Sequence, residues 1–169
     1  RLYLTNIFGH QVKVNGKDFS DQPGIVITDK VVSTTEQVKR ATVGESYAAI
    51  VSDLKNALTR FTAAGGDRGS QVYLGVAAVH GLLARTYLYL ENWSEAAASA
   101  QAALTTSKIT ELAKTKADYK ALYAGELTNK ESIFALAING TKNFGSASLG
   151  TVWTTYSYGP SPKLRKMYK

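Results

Sequence analysis

The 169-residue sequence predicts an all-α fold of helical hairpins, with long irregular loops and one short extended segment. Three observations lead there. Apolar residues recur at helical spacing over 42–61, behind a capping signal. A second periodic stretch over 72–90 carries small residues where a neighbouring helix can approach closely. A third, rich in alanine, comes after a two-residue turn. We read residues 1–169 as one domain, with a helical core over 42–124 and long loops over 9–41 and 139–160.

Each element has its own signal. The chain opens Arg1-Leu2-Tyr3-Leu4, half of an apolar helix with neither a cap nor a Met in front of it, and that helix ends at Phe8-Gly9. We therefore expect a cut into a longer protein. The 33 residues of 9–41 show little helical period, and Gly9, Asn15-Gly16, Asp18, Pro23-Gly24 and Thr34-Thr35 supply turn chemistry. A loop of that length is functional or wraps over a surface. Thr42-Val43-Gly44-Glu45 is a capping box, and Val43, Tyr47, Ile50, Val51, Leu54, Ala57, Leu58 and Phe61 form one stripe behind it.

Gly and Ser over 63–70 stop that helix. The Gly-Gly-Asp-Arg-Gly run comes after a helix and lacks a Gly-Lys-Ser/Thr ending, so it reads as an inter-helix turn and not as a phosphate loop. The second helix should bury Val72, Val76, Val79, Leu83, Tyr87 and Leu90, with Gly75, Ala77, Gly81 and Ala84 small. Glu91-Asn92 makes the turn, and Ser94-Glu95 opens a third helix facing inward with Ala96, Ala100, Ala103 and Leu104. A short fourth helix over 115–123 is capped by Thr115 and Asp118, with Tyr119, Leu122 and Tyr123 expected inside. Residues 133–138 read as extended and end at Asn139-Gly140; a last helix begins at Pro162.

Composition narrows the function. Apolar content of 44% with 20% charged residues suits a folded globular chain. The net charge is +7, but five bases (Lys142, Lys163, Arg165, Lys166, Lys169) and no acid come after Glu131, so the body is nearly balanced. No nucleic-acid partner is expected from that distribution. Zero cysteines exclude disulfides, thiolate metal sites and a Cys nucleophile within the chain. No run of about 18 apolar residues is present to span a membrane. His10 and His80 lack partners at metal or triad spacing, and Glu91 and Glu95 read as solvated carboxylates. We expect no catalytic residues, no metal and no cofactor; a hydrolase has only scattered carboxylates in its favour.

The hairpin of the second and third helices resembles a tetratricopeptide unit. Leu83-Ala84-x-x-Tyr87 fits its first helix, and Ala96, Ala100 and Ala103 fit its second, with Trp93 wedged at the start. The usual terminal Pro is missing, with Lys108 near its place, and His80 stands where a large aromatic is common. The order of segments widens the likeness. Phe8-Gly9 is followed by Pro23-Gly24-Ile25, then Lys39-Arg40-Ala41-Thr42-Val43 leading into Tyr47-x-x-Ile50-x-x-Asp53-Leu54-x-x-Ala57. Next come Leu82-Leu83-Ala84-Arg85-x-Tyr87-Leu88, Trp93-x-x-Ala96 and Glu131-Ser132-Ile133-Phe134-Ala135-Leu136. This series, over nearly the whole chain, is similar to the N-terminal tetratricopeptide-bearing part of the SusD/RagB family.

The resemblance implies a non-enzymatic glycan-binding lipoprotein, exposed at the outer membrane of a Bacteroidetes-type bacterium. Its partners would be a glycan and a SusC-like TonB-dependent transporter, with the membrane reached only through a lipid anchor outside this chain. The helical repeat would support the fold and dock on the transporter, while irregular loops contact sugar. Sugar rings stack on flat apolar faces, and amides and carboxylates bind their hydroxyls. On that chemistry the candidate ligand contacts are Trp153, Tyr156 and Tyr158 in the Gly-Thr-Val-Trp loop, and Asn15, Asp18 and Phe19 in the long N-terminal loop. Packing against parts of a parent protein stands beside ligand contact for the first three, and turn formation stands beside it for Asn15 and Asp18. The register of Trp93 favours core packing over a sugar platform. The alternative function is a helical-repeat scaffold that grips a protein partner.

Overall fold

Four N–H groups at the start of any α-helix have no partner inside it, and the longest helix here shows how the chain supplies them. Thr42 Oγ1 accepts from the Glu45 N–H at 3.1 Å, and Glu45 Oε2 accepts from the Thr42 N–H at 2.8 Å, so the predicted capping box is formed. The two N–H groups between them go to the preceding strap: Val43 donates to the Gln22 carbonyl at 2.8 Å and Gly44 to the Ser20 carbonyl at 2.9 Å. The long N-terminal loop thus wraps over the helix start and completes it.

The computed structural model describes residues 1–107, 109, 112–124, 130–136, 145, 151, 155 and 159–167. The chain divides into two units, Arg1–Ala135 and Leu136–Lys169. In the first unit the order is α1 (Leu2–Phe8), β1 (Lys13–Val14), β2 (Lys17–Asp18), α2 (Val43–Ala63), α3 (Val76–Tyr89), α4 (Trp93–Ser107) and α5 (Lys116–Leu122). In the second, the described residues include α6 (Pro162–Met167), which starts at the proline the sequence marks. The all-α reading holds. Its exception among the described residues is a two-residue antiparallel hairpin, β1 with β2, paired Lys13 to Asp18 and Val14 to Lys17. Asn15 and Gly16 turn it with φ of 52° and 78°, the left-handed pair that such a short connection requires.

α2 packs against α1 and α3, and α3 packs against α4. The α2 stripe serves two apolar clusters. Val43, Tyr47 and Ile50 join Leu2 of α1 and Val12 of the loop. Further along, Val51, Leu54, Ala57, Leu58 and Phe61 lie against Val79, Leu83, Tyr87 and Ala96 from α3 and α4. Leu54 and Leu90 touch both groups and tie them together. Gly24 is dictated by contact: a Cβ there would lie 2.3 Å from Ser46 Oγ and 2.4 Å from the Thr42 carbonyl oxygen. Ser46 uses that closeness, accepting from the Ile25 N–H at 3.1 Å and donating to the Thr42 carbonyl at 2.7 Å.

Several sequence expectations need correction. The third helix begins at Trp93 itself, so its inner face is Ala96, Ser99 and Ala103, while Ala100 and Leu104 turn outward. Trp93, expected as a wedge, is 62% exposed, because at the first helical position its side chain lies before the contact that Ala96 makes with α3. Val72 precedes the second helix, which starts only at Val76. α5 carries its Thr115–Asp118 capping box but buries nothing: Tyr119 and Tyr123 are exposed and pair with each other, ring centroids 5.2 Å apart, and Leu122 is half-buried. Over 133–136 the described residues form no strand, although the Ala135 N–H donates to the Gln71 carbonyl at 2.8 Å; 137 and 138 lie outside the described residues.

Two substitutions test this packing. Arg40 donates to the carbonyls of Gly24 (2.6 Å), Phe8 (2.5 Å) and Pro23 (3.0 Å). Arg40→Ala should destabilise the fold by about 2 kcal/mol, with amide exchange in α1 accelerating more than in α3. Tyr47 is buried, and its hydroxyl has no hydrogen-bond partner among the described residues. Burial, with the nearby Tyr89 as a smaller cause, pushes that phenol from the usual value near 10 up to about 12. Its contribution is complete below pH 10 and is lost as pH rises toward 12, because the unfolded phenol ionises first. Tyr47→Phe should therefore flatten that alkaline limb in urea titrations, and at pH 7 be neutral or stabilising by about 1 kcal/mol.

Candidate functional site

The turn between α2 and α3 forms a cleft of about 500 Å³, lined by Phe61, Ala64, Gly66, Asp67, Arg68, Tyr73 and Leu74. That volume lies within the roughly 300–1,000 Å³ typical of small-molecule sites. Local chemistry explains why the backbone opens here. α2 ends at Ala63 and the chain turns through Gly65 and Gly66 with φ of 77° and 122°. Asp67 then organises the loop up to α3. Its Oδ1 accepts from the Gly69 N–H at 2.7 Å, and its Oδ2 accepts at 2.6 Å from the N–H of Val76, the first residue of α3. The residue in the N-cap position of α3 is Gly75, which has no side chain to cap with. Asp67 supplies the missing acceptor from nine residues away, and a Cβ on Gly75 would lie 2.4 Å from Oδ2.

This remote cap holds α3 back to Val76 and leaves 71–75 in the loop, where Tyr73 and Leu74 are about half exposed. Arg68 lies over the Tyr73 ring, its Cζ 4.5 Å from the centroid. The cleft therefore joins an aromatic face, an apolar floor from Phe61 and Leu74, a guanidinium and a carboxylate. An aromatic face with a few directed polar groups can stack on a sugar ring and bind its hydroxyls. Among the described residues no three His, Asp or Glu side chains gather as a metal site, and no described helix is long and apolar enough to cross a membrane.

Of the contacts chosen from the sequence, Asn15, Asp18 and Phe19 are not among the residues that line this cleft. Asn15 forms the β1–β2 turn, and Asp18 accepts from the Ser20 N–H at 2.8 Å, a bond that holds its carboxyl below the usual range. Phe19 is half-buried against His10, with ring centroids 4.2 Å apart. The hairpin keeps these three together, but its own geometry uses each of them. Trp153, Tyr156 and Tyr158 lie outside the described residues. The residues that sequence reasoning passed over are Asp67, Arg68 and Tyr73. The Asp-Arg pair inside a glycine turn and the Tyr just after it were the only local signal.

No family model and no curated protein matches the sequence. Solved structures do match the fold. A SusD superfamily protein from Bacteroides thetaiotaomicron superposes with a TM-score of 0.77 at 21% identity, over 99% of this chain and 37% of that one. The fold is SusD-like. A SusD-like carbohydrate-binding protein from Bacteroides vulgatus agrees with a TM-score of 0.56 at 24% identity, over 73% of this chain and 25% of that one. The chain thus spans well under half the length of these two proteins.

The cap makes a prediction about the site. Asp67→Ala removes the acceptor of the Val76 N–H and should cost about 1 kcal/mol, with faster amide exchange at Val76. Gly75→Ala should act on the same contact by displacing the carboxylate, and the double variant should cost little more than the worse single one. Additive losses in urea denaturation would refute the shared contact.

Proposed function

We propose that this protein binds carbohydrate without catalysis, and that the α2–α3 cleft is where this chain contacts it. The observation that carries the reading is the cleft itself: a half-exposed Tyr73 beside Arg68 and Asp67 in a loop fixed by the helix cap. The SusD-like fold supports it, since one of the proteins sharing that fold is described as carbohydrate-binding. On this reading the helical hairpins are scaffold, and the turn at their end is the contact surface. The finer proposal comes from the sequence resemblance. The protein captures oligosaccharide at the outer surface of a bacterial outer membrane, held there by a lipid anchor, and passes it to a SusC-like TonB-dependent transporter. Trp153, Tyr156 and Tyr158 remain proposed as further contacts.

Isothermal titration with an oligosaccharide ligand tests the cleft. Tyr73→Ala should weaken binding about tenfold, in line with loss of one aromatic stacking surface. Trp93→Ala, an exposed aromatic outside the cleft, should leave it unchanged. The opposite pattern would move the site to the α3–α4 turn. Products released from the same sugars would refute the non-catalytic reading, and copurification with a TonB-dependent transporter tests the delivery step. A second reading, a scaffold for a protein partner, has its own observation: Tyr3, Leu4, Ile7 and Phe8 expose one apolar face of α1.

A further inference from the structure

A neutral sugar needs no full cation beside the ring it stacks on, yet Arg68 puts one there. Its guanidinium rests against Tyr73 inside the cleft. An aromatic face attracts a cation but accepts none of its N–H groups in a directed hydrogen bond comparable to a carboxylate's. Among the described residues Arg68 has no ion-pair partner; the side-chain pairs there are Arg1 with Asp53 and Lys30 with Glu36. Asp67 lies next in sequence, but its two oxygens are turned to the Gly69 and Val76 N–H groups. The Val76 N–H lies at the start of α3, where the helix dipole favours a carboxylate. Among the described residues that line the cleft, Arg68 is the cation.

Resting on the carbohydrate reading of this cleft, we propose that its ligand is an anionic glycan, whose sugars carry a uronate carboxylate or a sulfate ester. Tyr73 stacks on the ring, and Arg68 pairs with the anion. A guanidinium presents a planar fork that matches two oxygens of either group, which a lysine ammonium cannot do. The Tyr73 contact holds that fork at the cleft before ligand arrives, so less side-chain freedom is lost on binding. Arg68 is on this account the residue that sets ligand charge, and Tyr73 the one that sets affinity for any sugar.

A glycan array with neutral, uronate-containing and sulfated oligosaccharides separates the possibilities. The protein should be retained on acidic sugars, more weakly as salt is raised. Arg68→Gln should weaken that retention roughly tenfold, and Arg68→Lys should fall between. The uronate and sulfate spots distinguish the two anions. Retention on neutral sugars alone, or acidic binding unchanged in Arg68→Gln, overturns the anionic assignment and leaves the carbohydrate reading standing. No retention on any sugar overturns both.

Discussion

The guanidinium of Arg40 donates to three backbone carbonyls, those of Phe8, Pro23 and Gly24, and the N-terminal quarter of the chain depends on that fork. α1 has seven residues, too few to hold a helix by its own hydrogen bonds, and it has no basic residue in its last turn. Arg40 supplies the missing cation at the α1 C-terminus from 32 residues away. At the other end Arg1 pairs with Asp53 of α2 at 2.5 Å, while Leu2 and Thr5 are buried. The same guanidinium fixes Pro23 and Gly24, which places Ser20 and Gln22 over the start of α2. One side chain therefore connects the end of one helix to the beginning of another. A lysine could offer the charge, but not a planar fork reaching separate carbonyls.

α2 is in turn the element that both apolar clusters share, and its 21 residues decide how far each extends. Its first half is sealed, with Val43 and Tyr47 almost wholly buried. Its second half is only partly covered by α3 and α4, so burial declines along the helix toward the glycine turn. That gradient leaves Phe61 available to the cleft, where a tighter third helix pair would have covered it. α4 adds little cover because its inner face is Ala96, Ser99 and Ala103. Small side chains bring α4 close to α3 but give it no reach toward the end of α2.

Most of the fold was legible from residues that act on near neighbours. Thr42 with Glu45 and Thr115 with Asp118 are local codes, three residues apart, and both caps formed as written. The stripe from Val43 to Phe61 is likewise a periodicity carried by a single helix. The illegible remainder depends on partners distant in sequence. Val72 fits the helical period of 76–90, yet the helix starts at Val76 because Asp67 caps it across the turn. Trp93 fits a wedge by register, yet it is mostly exposed, and Tyr119 and Tyr123 are exposed with their rings against each other. In each case the apolar pattern was correct and the expected covering surface was not there among the described residues. The Asn15-Gly16 hairpin is a different failure: its signal was local and complete, and only the shortness of its strands hid it.

The candidate site was the least legible part, and for the same reason. Asp67, Arg68 and Tyr73 sit in a stretch whose glycines say only that the chain turns. Their chemistry emerges when Asp67 is spent on α3, because that bond fixes where Tyr73 and Arg68 meet. A carboxylate used as a cap loses its value as a free ligand group, and the neighbouring cation gains by it. The direction in which the Asp67 carboxylate points is thus decided by its structural hydrogen bonds to Gly69 and Val76. In a SusD-like scaffold specificity can then change locally. On the proposed reading, the helical core can stay fixed while substitutions at three turn positions alter the face, the charge and the opening of the cleft, so long as the α3 start keeps an acceptor.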